Sequence, residues 1–205
     1  MRTILLAVFL TATSLPADPL TIDRDRSWIL AITGRAGLLA ELGHDHAILA
    51  REWTATINAD RENIEKSTVD LTIKTSSLVI DTPEARQKSE LKTPVPTGGL
   101  RTELQQDLLS SYYLGARKHP TIEYKTHAVR KEGEHDFTLV GTLTLRGSDR
   151  QTDIPVKWQN LPDGTYLFQG SVFVNHTDFG MKPQSLAGVV KVADPIEIRF
   201  TIYAR

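Results

Sequence analysis

"HDFTLVGTLTLRG", residues 135–147, alternates with a period of two. Phe137, Leu139, Gly141, Leu143 and Leu145 fall on one side of an extended chain, with mostly polar residues between them. A helix turns every 3.6 residues and would scatter these positions around its circumference, so the stretch reads as a strand with one apolar face. It runs into "RGSD" at 146–149, a turn signal.

Outward from this hairpin the same period recurs. In "STVDLTIKTSSLVI" (67–80), Val69, Leu71 and Ile73 share a face, and Asp70, Thr72 and Lys74 the other. In "PIEIRFTIYAR" (195–205), Ile196, Ile198, Phe200 and Ile202 alternate with Glu197, Arg199, Thr201 and Tyr203. "TIEYKTHAV", "DIPVKW" and "TYLFQGSVFVNH" behave alike, and "KEGEHD" and "LPDGT" supply further turns. Antiparallel strands with one solvated face give this pattern, and their spacing predicts a sandwich or closed barrel.

Residues 82–118 depart from it. Thr82 is placed to cap a helix with Pro83 at its first position, and Leu100, Leu104 and Leu108 form an i, i+4, i+8 stripe. The expectation is an all-β domain with a short helical insertion packed at one end of the sheet.

Composition narrows the function classes. The 205 residues suit one domain, and a formal net charge of −1 offers no basic excess for nucleic acid. With no cysteine, disulfides, thiolate metal sites and a cysteine nucleophile are excluded. There is no Gly-x-Ser-x-Gly elbow and no phosphate-binding glycine loop, and no catalytic set stands out. The expectation is a protein that is not an enzyme. At the start, Arg2, the apolar run Ile4–Leu10 and the small residues after it have the layout of a secretory signal peptide. Cleavage after Ala17 would leave residues 18–205 as one exported domain, with a bacterial periplasm as the expected compartment.

Four stretches together resemble the YceI-like family. They are "LGHDHAILAREWTATI" (42–57), "LRTELQQDLLSSYYLGARKHPTIEYKT" (100–126), "LVGTLTLRGSDRQTDIPVKW" (139–158) and "VFVNHTDFGM" (172–181). The resemblance covers residues 20–205 and departs from the family at His119, where a tyrosine is usual, and in the histidine-rich "GHDH". It implies an eight-stranded antiparallel lipocalin-like barrel, with the helical insertion around 82–118, that holds an isoprenoid lipid such as a quinone or a polyprenyl chain. It further implies transient membrane contact for lipid exchange. An apolar interior would supply affinity at roughly 0.8 kcal/mol per buried CH₂. Strand parity nominates Trp53, Leu71, Ile73, Tyr124, Phe137, Leu139, Leu143, Tyr166, Phe168, Val172, Val174 and Phe200 as the lining, although core packing would select the same residue types.

His44 and His46 flank Asp45 and, if extended, project to one face about 7 Å apart. His176 shares the parity of Val172 and Val174, so the three histidines are candidates for a zinc or copper site. Two other readings stand beside it: a polar turn opened by Gly43, and hydrogen bonding to a lipid head group at the barrel mouth. His119, His127 and His135 read as solvent-exposed. In the "DFG" step, Phe179 is expected to anchor and Gly180 to bend.

Overall fold

The computed structural model describes residues 19–37, 41, 43–60, 62–182, 185–186 and 190–205; the expected leader, 1–17, lies outside them. Among the described residues, eleven strands form one antiparallel sheet: β1 (Ile22–Ala36), β2 (His46–Ala50), β3 (Trp53–Asn58), β4 (Thr68–Lys74), β5 (Leu78–Ile80), β6 (Thr121–Lys131), β7 (Asp136–Leu145), β8 (Ser148–Asn160), β9 (Tyr166–Asn175), β10 (Ser185–Leu186) and β11 (Val190–Ala204). Their order is β3-β4-β6-β7-β8-β9-β11-β1-β2-β5, with the short β10 beside β11.

This all-β architecture agrees with the period-two reading, but the strand count differs from the expected eight. Two runs are interrupted. Arg51 and Glu52 separate β2 from β3, and a 3₁₀ turn at Thr75–Ser77 separates β4 from β5. β3 pairs β4 and β2 pairs β5, so the same two runs meet on both sides of their breaks. The sheet is strongly curled, and one face of it encloses the apolar interior.

The β7–β8 hairpin is regular. Leu145 pairs Ser148 across a two-residue turn in which Arg146 and Gly147 both have positive φ, 54° and 72°. Such turns match the right-handed twist of the strands they join. Arg146, a rare non-glycine in that region, ties the turn down by donating to the carbonyls of Gly180 and Ser111 at 2.6 and 2.8 Å.

Two glycines let aromatic rings cross the sheet. A Cβ on Gly170 would lie 2.4 Å from the ring of Phe200, its partner on β11, and one on Gly141 would lie 2.6 Å from the ring of Tyr124. The Tyr124 hydroxyl, folded over Gly141, points at the carbonyls of Leu139 and Thr152, each 3.0 Å away.

Helices α1 (Pro83–Ser89) and α2 (Gly99–Leu109) occupy the expected insertion. The Thr82 hydroxyl accepts from the Ala85 N–H, the cap the sequence called for. α1 covers the outer face of β1 and β2, burying Leu30, Ile32, Ala47, Leu49 and Ala85 in a second small core. For this reason Ala47–Ala50 are buried on both faces and lose the alternation seen elsewhere. In α2, Leu104 and Leu108 pack on the main core while Leu100 stays exposed. The Gln105 amide accepts from the Ile80 N–H and donates to the Leu78 carbonyl, at 3.0 and 2.9 Å. It thereby occupies hydrogen-bonding groups of β5 that a sheet edge would leave open.

Candidate functional site

The interior is hollow. A cavity of about 700 Å³ is lined from β1, β3, β4, β6, β7, β8, β9 and β11. That volume falls within the roughly 300–1,000 Å³ typical of small-molecule sites. Eleven of the twelve residues nominated from strand parity line it: Trp53, Leu71, Ile73, Tyr124, Phe137, Leu139, Leu143, Tyr166, Phe168, Val172 and Phe200. Val174 lines a smaller neighbouring chamber instead. Parity found these residues because side chains two apart on a strand share a face.

Polar groups gather where the β3–β4 connection meets the β6–β7 turn. Asp60, Glu62, Glu65, Glu134 and Asp136 line the cavity there, with Lys131 beside them. The smaller chamber, about 170 Å³, is lined by α2, by Tyr113 and Leu114 after it, and by His176 and Met181. Ile29, Ile73, Ile122, Leu143 and Ile198 line both spaces, so chamber and cavity adjoin across these side chains.

His46 and His176 both line the chamber, while His44 does not. The ring centroids of His44 and His46 are 6.4 Å apart. His46 opens β2 with its Nδ1 2.6 Å from Oδ2 of Asp81. His176 begins a 3₁₀ turn, His176–Phe179, directly after β9 and is only 4% exposed. Its Nδ1 donates to the Asp194 carbonyl at 2.9 Å. Burial holds the imidazole below its ordinary pKa, against the pull of the Asp194 and Ala193 backbone and the Asp194 carboxylate. Phe179 is buried and Gly180 adopts φ 69°, the anchor and bend read from "DFG".

Among the described residues no three His, Cys, Asp or Glu side chains come together in a group that could hold a metal ion. The trio His44, His46 and His176 is therefore not gathered into a zinc or copper site, and the donors do not fit one. Head-group contact at the barrel mouth was the other expectation; His46 and His176 line the chamber and not the acidic part of the large cavity. His127 and His135 are exposed as expected, but His119 is partly buried, with its ring against Gly115 and Gly147.

Sequence reasoning missed Asp81 and Arg86. Asp81 accepts from the Ala47 N–H at 3.0 Å and from Arg86 at 3.3 Å as well as meeting His46. Arg86, buried on α1, also donates to the Asp45 carbonyl and to both oxygens of Thr93. Asp81 has φ 49° and follows a three-residue strand, so neither alternation nor a motif marks it. Among the described residues, His44 Nδ1, Arg86 Nε and Thr75 Oγ1 are buried with no hydrogen-bond partner.

The family model for the YceI-like domain matches residues 45–204. The chain belongs to the YceI-like family. The crystal structure of BcnA from Burkholderia cenocepacia superposes with a TM-score of 0.68 at 15% identity, over 90% of this chain and all of that one. A polyisoprenoid binding domain from Saccharophagus degradans, implicated in plant cell wall breakdown, gives 0.56 at 11% identity over 92% and 98%. A UPF0312 protein of Pseudomonas syringae pv. tomato is 25% identical over 137 residues, 64% of this chain. The chain spans 62% of the length of that curated relative. The structural likenesses lie at identities where only the fold is shared.

Proposed function

We propose that this YceI-like chain is an exported carrier that holds an isoprenoid lipid, a quinone or polyprenyl chain, in its interior and performs no covalent chemistry on it. The observation that carries the reading is the apolar cavity of about 700 Å³ lined by inward-facing residues of eight strands of one sheet. An ordinary core of this size is close-packed with few voids larger than a water. A hollow lined by Phe137, Phe168, Phe200 and Trp53 is space suited to hydrocarbon. The polyisoprenoid binding domain among the solved structures of this fold supports the same ligand class. The leader at residues 1–17 and a periplasmic compartment belong to this reading, as does brief membrane contact to exchange the lipid.

The test is native mass spectrometry of untagged protein made with its leader intact, followed by organic extraction. An isoprenoid released at near one equivalent is the expected result. An empty extract from protein that is folded and exported would overturn the proposal.

A further inference from the structure

The chamber specifies a head group. It adjoins the large cavity across Ile29, Ile73, Ile122, Leu143 and Ile198, and polar side chains stand in its largely apolar wall. Thr33, His46, Asp107, Tyr113 and His176 are its polar lining, and no lysine or arginine is among the described residues that line it. The larger cavity adds Lys131 against Asp60, Glu62, Glu65, Glu123, Glu134 and Asp136. A phosphate or pyrophosphate would find no lysine or arginine among the chamber's described residues and an excess of carboxylates around Lys131 in the larger cavity. Burying an unpaired charge is far more costly than burying a hydroxyl that finds a partner.

The tautomers decide which neutral group fits. A backbone carbonyl only accepts, so the His176 nitrogen facing Asp194, Nδ1, must carry the proton. In a neutral imidazole the other nitrogen, Nε2, is then an acceptor. Burial favours that neutral form. His46, which also lines the chamber, has its Nδ1 2.6 Å from the Asp81 carboxylate. A ketone or ether oxygen offers nothing to an Nε2 acceptor, whereas a hydroxyl donates to it.

We propose that the chamber between His46 and His176 receives an uncharged, hydroxyl-bearing head group, so that the ligand is an isoprenoid alcohol or quinol with its tail in the large cavity. This rests on the lipid-carrier reading and narrows its ligand class.

Binding of three probes to the delipidated full-length mature protein tests it: geranylgeraniol, its methyl ether, and geranylgeranyl pyrophosphate. All share one tail. The alcohol is expected to bind about tenfold tighter than the ether, the upper end of one hydrogen bond, and tighter still than the pyrophosphate. His176→Leu should bring alcohol and ether affinities together, and His176→Gln, which restores an acceptor, should recover part of the preference. Equal binding of alcohol and ether by the unmodified protein, or tightest binding of the pyrophosphate, overturns the head-group assignment and leaves the carrier reading standing. No binding of any of the three overturns both. Since the main comparison uses the unmodified chain, a variant that fails to fold does not remove the test.

Discussion

His46 Nδ1 lies 2.6 Å from Oδ2 of Asp81, a carboxylate with no exposed surface. The second Asp81 oxygen takes the Ala47 N–H and the Arg86 guanidinium. One carboxylate thus joins the first residues of β2 to α1 and fixes the imidazole that lines the chamber. Removing one partner of a buried ionic group costs about 3–5 kcal/mol, because the other is left unpaired. Asp81→Ala should lower unfolding free energy by about 3 kcal/mol, measured by urea denaturation at pH 7. A loss under 1 kcal/mol would show that water replaces the carboxylate.

The same group predicts an acid limb. Burial alone would raise the Asp81 pKa, but the hydrogen bonds from His46 and Ala47 and the charges of His46 and Arg86 outweigh it and hold the carboxyl below its usual range. A depressed carboxylate stabilises fully above its unfolded value, about 4, and loses that contribution as pH falls through the folded value. His176 acts at higher pH. Its folded pKa is lowered, so the unfolded chain takes a proton first, and stability falls as pH drops below about 6.5. Urea midpoints should therefore decline in two stages on acidification. His176→Leu should abolish the upper stage and Asp81→Asn should flatten the lower one.

Gly170 and Phe200 predict a coupled pair. A Cβ at 170 would meet the Phe200 ring at 2.4 Å and the Pro155 carbonyl at 2.7 Å. Gly170→Ala should cost about 1–3 kcal/mol, the usual range for overpacking. In Phe200→Leu the ring is gone, so the added methyl should cost less there. A double-mutant cycle in denaturant should show coupling above about 0.5 kcal/mol. Strict additivity would mean that the carbonyl, not the ring, is the obstacle.

Tyr124 should resist ionisation. Burial, aided by the negative charge of Asp153, pushes its phenol well above the ordinary value of about 10. In a spectrophotometric titration of the folded protein, Tyr124→Phe should leave the amplitude near pH 10 unchanged and remove only absorbance that appears at higher pH or on unfolding. The substitution should also cost about 1 kcal/mol for the hydroxyl's lost hydrogen bonding.

Alternation made the cavity wall legible. Leu71 and Ile73, or Phe137, Leu139 and Leu143, share one parity on strands with one solvated face. It failed at Ala47–Ala50 because α1 covers the outer face, a tertiary fact that no local period records. It placed His176 on the apolar side but could not say which neighbour its Nδ1 meets, since Asp194 lies eighteen residues on. The Arg51–Glu52 break between β2 and β3 and the Thr75–Ser77 turn carry no glycine or proline, so the division of two runs into four strands was invisible. Asp81 and Arg86 stayed hidden for the complementary reason. Polar residues near a helix start read as solvated until the partner that buries them is known.

Ala55 distinguishes a ligand-sized hollow from a packed core. Its methyl lines the large cavity on β3, opposite Leu71 of β4. In a close-packed interior Ala55→Phe would force side chains off their rotamers and cost about 1–3 kcal/mol. In a hollow the ring enters open space and buries apolar surface of its own, so stability should change by less than about 1 kcal/mol or rise. The lipid then loses the volume the ring takes. Extracts of Ala55→Phe should contain a shorter isoprenoid or markedly less of it, with a thermal midpoint close to that of the unmodified protein. Destabilisation by about 2 kcal/mol together with unchanged lipid content would place the bound chain somewhere other than this cavity.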